Sequence, residues 1–273
     1  MVISYKILHL ASSRFFLGLV FFCLLHLKLE AFFCGCIPKD YQDFRVFAAP
    51  QIARLNLKIN HLGIYRGVLT GGSMGVEYKP FCNFYSGVFA EWMMGPVYSP
   101  SSMSRYIHDF DTQARLGYNV PMWNFYKLTF TPFLGLGYIQ EIHHVRPDLV
   151  LDSLRLRYTN YYLPYGALID FSITKHFAFG FVIEKRICIV ERLNTPYIEK
   201  VEFLLDQKSG YLFEVPFFLK FGKAAKFQLS LIPYLKREVD GKLETTLPDG
   251  AALSLPMQDY RYWGFRLGLG VIF

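Results

Sequence analysis

The chain has 273 residues, of which 52% are hydrophobic, 18% aromatic and 19% charged, with a formal net charge of +7. No Lys/Arg cluster accompanies that charge, so the electrostatic footprint of a nucleic-acid binder is missing. Past Ala31 no apolar run is long enough for a transmembrane helix, so the apolar content has to be carried by alternation along strands.

Met1 to Ala31 reads as a secretory signal. Lys6 and Arg14 give it a positive start, Phe15 to Leu27 an apolar run, and Leu29-Glu30-Ala31 a cleavage site in which Leu29 is bulkier than usual. The run is short of the roughly 20 residues that cross a bilayer as a helix, and an uncleaved anchor is the alternative reading. Cleavage removes Lys6, Arg14, Lys28 and Glu30, so the net charge falls by 3 − 1 = 2, from +7 to +5. Residues 32–43 form a short segment ahead of the first strand. Cys23 leaves with the signal, while Cys34, Cys36, Cys82 and Cys188 remain in an exported, oxidising setting. Cys34 and Cys36 could pair only under strain. Phe33 to Cys36 faintly resembles a lipoprotein box with Cys36 as the lipidated residue, but Lys28 and Glu30 separate it from the apolar run. Spare thiols are the favoured reading.

From residue 44 onward the chain alternates. Asp43 to Leu57 is the weakest segment, with Pro50 inside it and no single apolar face. Tyr65 to Tyr78 sets Val68, Met74 and Val76 against Gly71, Ser73 and Glu77; Phe84 to Met94 sets Val88, Ala90 and Trp92 against Gly87 and Glu91. Segments 110–120 and 128–138 repeat the pattern, with Arg115 on the polar face of the first. Three segments then follow, at 161–174, 177–189 and 211–222. Their polar faces hold Asp170, then Glu184 and Arg186, then Glu214 and Lys220. Segment 227–236 precedes the last strand, for about ten strands in all, each near the ~9–11 residues that a tilted membrane strand needs. Short turns fall at 79–83, 121–126, 175–176 and 222–226, and longer polar connections at 95–109, 141–155, 191–210 and 237–260.

In the terminal segment every second residue back from the end is apolar: Phe273, Val271, Leu269, Leu267, Phe265 and Trp263. Between them stand Ile272, Gly270, Gly268, Arg266, Gly264 and Tyr262, so one face is greasy and the other mixed. The strand ends on phenylalanine. Here the chain resembles the small bacterial outer-membrane β-barrels, OmpA/OmpX-like in strand grammar. The resemblance covers roughly residues 44–273. It implies an all-β fold, a transmembrane antiparallel up-and-down β-barrel of about ten strands, with eight or twelve as alternatives. It also implies short turns and residues 32–43 on the periplasmic side, long loops outside, and location in the bacterial outer membrane. In that family the terminal strand, here Phe265, Leu267, Leu269, Val271 and Phe273, is the signal read by the barrel-assembly machinery. A soluble sandwich or lipocalin-like barrel is the rival, but its polar face would be rich in charge, and here glycine, serine and threonine dominate it.

With the apolar faces toward lipid, the lumen would hold Glu77, Glu91, Arg115, Asp170, Glu184, Arg186, Glu214, Lys220 and Arg266. Acids and bases nearly balance, and in a narrow barrel such ions pair into a plug; a pore lining is the alternative. His143-His144 with Glu141 and Asp148, and His108 with Asp109 and Asp111, are the clusters closest to chemistry. Adjacent histidines in an extended segment point to opposite faces and would not share a metal. These residues read as solvated loop. No zinc spacing, nucleophile motif or phosphate loop is found, so no cofactor is expected.

The favoured function is non-enzymatic: a structural or surface-interaction, adhesin-like barrel whose long loops contact host or envelope proteins or lipopolysaccharide. Its best contact surfaces are loop 191–210, with Glu191, Arg192, Glu199, Lys200, Glu202 and Asp206, and loop 237–260. A small diffusion pore is second and a rim enzyme, protease or lipid-modifying, third.

Overall fold

A period of two puts neighbouring side chains on opposite faces, and only a closed sheet lets every strand pair on both edges. The computed structural model describes residues 44–80, 83–99, 104–123, 128–146, 154–194, 203–204, 209–222, 226–240, 243–246 and 252–273. The expected signal, the segment 32–43 and Cys23, Cys34, Cys36 and Cys82 lie outside these residues.

The strands are β1 (Phe44–Ile59), β2 (Gly63–Tyr78), β3 (Phe84–Tyr98), β4 (Ser104–Tyr118), β5 (Val120–Trp123), β6 (Leu128–Arg146), β7 (Leu154–Ser172), β8 (Phe177–Asn194), β9 (Phe203–Leu204), β10 (Ser209–Glu214), β11 (Phe217–Phe221), β12 (Phe227–Asp240), β13 (Leu243–Thr246), β14 (Ala252–Leu255) and β15 (Gln258–Ile272). Each long strand pairs antiparallel with its neighbours in chain order, and β15 returns to β1, from Arg45 opposite Ile272 to Ile59 opposite Gln258. β10 and β11 are two halves of one strand, interrupted at Val215-Pro216. Both halves pair with β8 and β12. The interruption stays bonded: the Val215 amide donates to the Pro233 carbonyl at 3.0 Å, and the Gly180 amide to Pro216 at 2.8 Å. Counting β10 and β11 once, and setting aside short β5 and β9 and the β13–β14 hairpin, the ring is a closed ten-stranded barrel. The weak first segment is a full strand, and its Pro50 sits opposite Gly72, on the outer face.

The outer face is apolar for about the height that a bilayer requires. On β15 the outward residues from Trp263 to Phe273 include Phe265, Leu267 and Leu269, each at least 49% exposed. Val46, Val76, Val88, Leu134, Ile183 and Leu231 continue this belt around the ring. Exposed apolar surface on this scale is what a barrel presents to lipid. Among the described residues no helix is long and apolar enough to cross a membrane, so the strands alone carry the span.

The strands outrun that span. β6 and β7 each have 19 residues and β8 has 18, against the ~9–11 needed to cross. The excess lies at the long-loop end, where polarity inverts. In β1, Val46 and Ile52 face out below, whereas above them Arg54 and Lys58 face out while Leu55, Leu57 and Ile59 are buried inside. Those three join Tyr65, Val97, Ile107 and Tyr260 in an apolar core within the upper barrel. This is a correction to the expected connections. Segments 95–109, 141–155, 191–210 and 237–260 are largely strand at their flanks, because the alternation continues after its hydropathy changes sign. The β1–β2 turn is tight, with His61 at φ 67° and Gly63 at φ 102°, a conformation that suits glycine.

Candidate functional site

Parity from the outward belt sends the charged residues inward. All nine residues expected in the lumen are placed on the inner face, with Lys220 and Asp170 half-buried near the short-turn opening. Lys220 lies opposite Gln228 on β12.

From the short-turn end upward, the ions form three tiers. In the first, Arg45 pairs with Glu77, and Lys79 with Asp170. The Arg45 guanidinium also lies 4.9 Å from the Phe218 ring centroid. In the second, Arg266 of β15 donates to Glu91 of β3 and Glu214 of β10, both at 2.5 Å, and to Gln51 at 3.0 Å, with its guanidinium 4.6 Å from Tyr234. Beside it Arg115 donates to Glu184 at 2.6 Å between the rings of Phe89 and Phe133, 4.8 and 4.7 Å away. The third tier centres on Arg186, which donates to Glu184 at 2.7 Å, Asp111 at 2.6 Å and Glu238 at 3.0 Å. Lys236 adds a second cation, 3.4 Å from Asp111 and from Glu238 and 3.7 Å from Asp109.

These contacts cross the barrel. Arg186 joins β8 to β4 and β12, and Arg266 joins β15 to β3 and β10. Charge-assisted hydrogen bonds inside a low-dielectric space are strong only when each member is partnered, and here cations and carboxylates interleave. Close packing supports the third tier: Tyr162 donates to Asp111 at 2.6 Å and its ring lies across Gly137, where any Cβ would collide with it. Glycine at 137 makes room for that ring.

The cluster that the sequence placed in loops begins within the third tier and continues above it. Asp109 is 3% exposed, Asp111 5%, and Glu141 and His143 0%, so the expectation of solvated loop residues is corrected: all four are inside the barrel. The physical reason is the continued strand, which pairs Asp109 with Glu141 and Ile107 with His143. His143 Nε2 lies 3.8 Å from Glu141 and 3.5 Å from the Tyr260 hydroxyl. Its ring packs 5.2 Å from Tyr158, and Gln258 donates to the Tyr158 hydroxyl at 3.0 Å. His144 faces outward, with its ring 5.5 Å from that of His108. The two adjacent histidines therefore occupy opposite sides of the wall. Glu191, expected on a contact loop, is also buried in the barrel, at 2%. Asp148, Glu199, Lys200, Glu202 and Asp206 lie outside the described residues. Among the described residues, no three His, Cys, Asp or Glu side chains are placed to share a metal ion.

Sequence reading missed Arg45, Lys79, Lys236, Glu238 and Asp240 as lumen groups. Parity alone could have found the last three: Lys236, Glu238 and Asp240 continue the inward series of Gln228, Ser230 and Tyr234 along β12. The outward Arg237 made this stretch look like loop. Cys188 faces inward, with its sulfur 3.0 Å from Asn160 Oδ1. The five residues of the expected assembly signal, Phe265, Leu267, Leu269, Val271 and Phe273, share the outer face of the last strand, and the Phe273 amide donates to Phe44 at 2.9 Å.

A closed antiparallel ring with an outward apolar belt and an inward ion network defines a transmembrane β-barrel of the bacterial outer-membrane class. The chain is similar to the outer membrane protease OmpT from Escherichia coli, with a TM-score of 0.52 and 7% identity over 88% of this chain and 99% of that one. It is also similar to the translocator domain of autotransporter NalP from Neisseria meningitidis, with a TM-score of 0.46, 9% identity and coverage of 96% and 98%. A third is the β domain of the Bordetella autotransporter Brka, with a TM-score of 0.42, 12% identity and coverage of 85% and 100%. At 7% identity the likeness to OmpT speaks to the fold alone. No protein-family model and no curated protein sequence matches the chain.

Proposed function

We propose that this chain is a closed-lumen barrel of the outer membrane that works through its long-loop end, as a structural or surface-interaction protein. The observation that carries the reading is the pair of cations, Arg186 and Arg266, each tied to carboxylates on other strands across the lumen. Beside them the apolar core around Leu57 and Tyr260 packs within the upper barrel. Loop 237–260 supports a contact role, since it carries a hairpin of its own, β13 paired with β14. The strand grammar keeps the likeness to OmpA/OmpX-like barrels, with two strands more than the roughly eight of that type. Export by residues 1–31 and recognition of the Phe273 strand by the assembly machinery complete the proposal.

Planar-bilayer recording on the purified, folded protein tests it. The expected result is no unitary conductance. Steps whose ion preference changes on neutralising Arg186 or Arg266 would overturn the closed lumen in favour of a diffusion pore. OmpT is a protease, so a rim enzyme is the other rival. Here His143 is fully buried between Tyr158, Tyr260 and Glu141, and His108 and His144 face the outside of the wall. Peptide and lipid hydrolysis should be absent from the wild-type protein; turnover that disappears in a His108→Ala/His143→Ala variant would reinstate the enzyme.

A further inference from the structure

The carboxylates of the barrel strands are nearly confined to the inner side of the wall, whereas the bases occupy both sides. Every carboxylate on these strands points inward except Asp259 of β15, which lies on the outer face beneath Arg237 and Arg261. The outer face of the upper barrel has no such shortage of cations. Across β2, β1, β15 and β12, cross-strand register lines up Arg66, Asn56, Arg261 and Arg237, each opposite the next. Arg54 stands one step below this row and Lys58 one step above, level with Asp259. Five cations against one carboxylate leave this face at 5 − 1 = +4.

Folding alone does not call for this arrangement. Like charges set directly opposite in a sheet repel, and Arg261 faces Arg237, the two sharing the one carboxylate of Asp259 among the described residues. Their side chains remain 61% and 51% exposed. The height of the face on the wall indicates what would neutralise it. Arg54 is paired with Trp263 and with Val68, the upper edge of the apolar belt, and below Trp263 come Phe265, Leu267 and Leu269. Arg54, Lys58, Arg66 and Arg261 line one surface groove whose floor includes Trp263 and Ile64. A ligand that fits has anionic groups at the row of arginines and hydrocarbon chains running down the belt beneath it.

We propose that this face binds the phosphate groups of a phosphorylated glycolipid in the outer leaflet, with its acyl chains against Val68, Trp263 and Phe265. Guanidinium groups suit phosphate because their planar forks donate two parallel hydrogen bonds. A soluble polyanion would meet the same charges but would leave the apolar edge unused. The proposal rests on the outer-membrane reading and not on the closed lumen: a barrel that conducts yet binds the glycolipid would overturn the latter and leave this site standing.

The test is binding to the folded mature protein by native mass spectrometry from detergent. The probes are bisphosphorylated lipid A, its dephosphorylated counterpart, inorganic phosphate and heparin. The wild-type protein is expected to hold the bisphosphorylated lipid selectively. An Arg66→Gln/Arg237→Gln/Arg261→Gln variant should lose on the order of a hundredfold in affinity, at the scale of ~1 kcal/mol per cation near an anionic surface. Lys175→Gln, at the short-turn end, should bind as the wild type does. Each variant is first checked for the heat-dependent gel shift of a folded barrel; if the triple variant fails that check, Arg54→Gln/Lys58→Gln takes its place. Undiminished binding by the folded variant, or equal binding of the dephosphorylated lipid, would overturn the site. Heparin or inorganic phosphate binding as tightly as the lipid would assign the face to soluble anions instead.

Discussion

Along β1, Val46 and Ile52 look outward at the short-turn half, while Arg54 and Lys58 look outward at the long-loop half. Along β12, Leu231 and Leu235 give way to Arg237 in the same direction. The interior changes in the opposite sense, from the ion tiers of Arg266 and Arg186 to the apolar group of Leu55, Leu57 and Ile59. One continuous sheet therefore obeys two solvents. The lower half is built for lipid outside and keeps its charges in; the upper half is built for water outside and buries hydrocarbon such as Leu55, Leu57 and Ile59 alongside inward ions such as Glu141 and Asp240. Along β1, β15 and β12 the backbone register does not change across the boundary, so the difference there teaches that the surrounding medium, and not the sheet, decides which parity is apolar.

Substitutions can break each half by its own mechanism. The largest effect is expected from Arg186→Ala in the lower network, which leaves Asp111, Glu184 and Glu238 without their shared cation. A loss of about 3–5 kcal/mol is expected for a broken buried pair, read from urea unfolding in phospholipid vesicles. A shift below 1 kcal/mol would show that water enters the lumen and screens these ions. Next comes Leu57→Ala in the upper core, at about 2–5 kcal/mol if that region packs like a soluble interior. An arginine scan of the outer face then locates the boundary itself. Leu267→Arg should destabilise by about 2–4 kcal/mol at mid-belt, whereas Asn56→Arg should cost less than about 1 kcal/mol, because that position stands in water and only repulsion from Arg66 and Arg261 opposes the new charge. Equal costs at the two sites would abolish the distinction between the halves. The smallest change is expected for Arg237→Gln, a solvent-exposed pair with Asp259, at about 0–1 kcal/mol and fading as salt is added.

The same inversion explains what was legible in the sequence. The lower half could be read residue by residue, because its outward parity is uniformly apolar from Phe265 to Phe273 and its inward ions, such as Glu91 and Arg266, stand out against glycine and serine. The upper half was hidden. In Arg54-Leu55-Asn56-Leu57-Lys58-Ile59 the alternation is as regular as anywhere, but of reversed sign, so β1 showed no single apolar face. Glu141 and His143 read as loop because acid and histidine crowd together there, with the outward His144 next in the chain, and mask an alternation that does continue. What periodicity could not supply was partnership: that Arg186 of β8 meets Asp111 of β4 depends on how the ring closes, which no local pattern encodes.

Closure has a consequence for how the protein comes to exist. The seam joins Arg45 to Ile272, nearly the whole chain apart, and the Phe273 amide bonds Phe44. Bringing such distant ends together costs about 5 kcal/mol of chain entropy on logarithmic scaling, before any seam contact is made. Until then β1 and β15 are both open edges, the form of strand most prone to pair with another chain. Sequence-distant pairing of this kind folds slowly. The strand that follows all the others around the ring is thus the one that completes the first, and every earlier strand stays unsealed until it arrives.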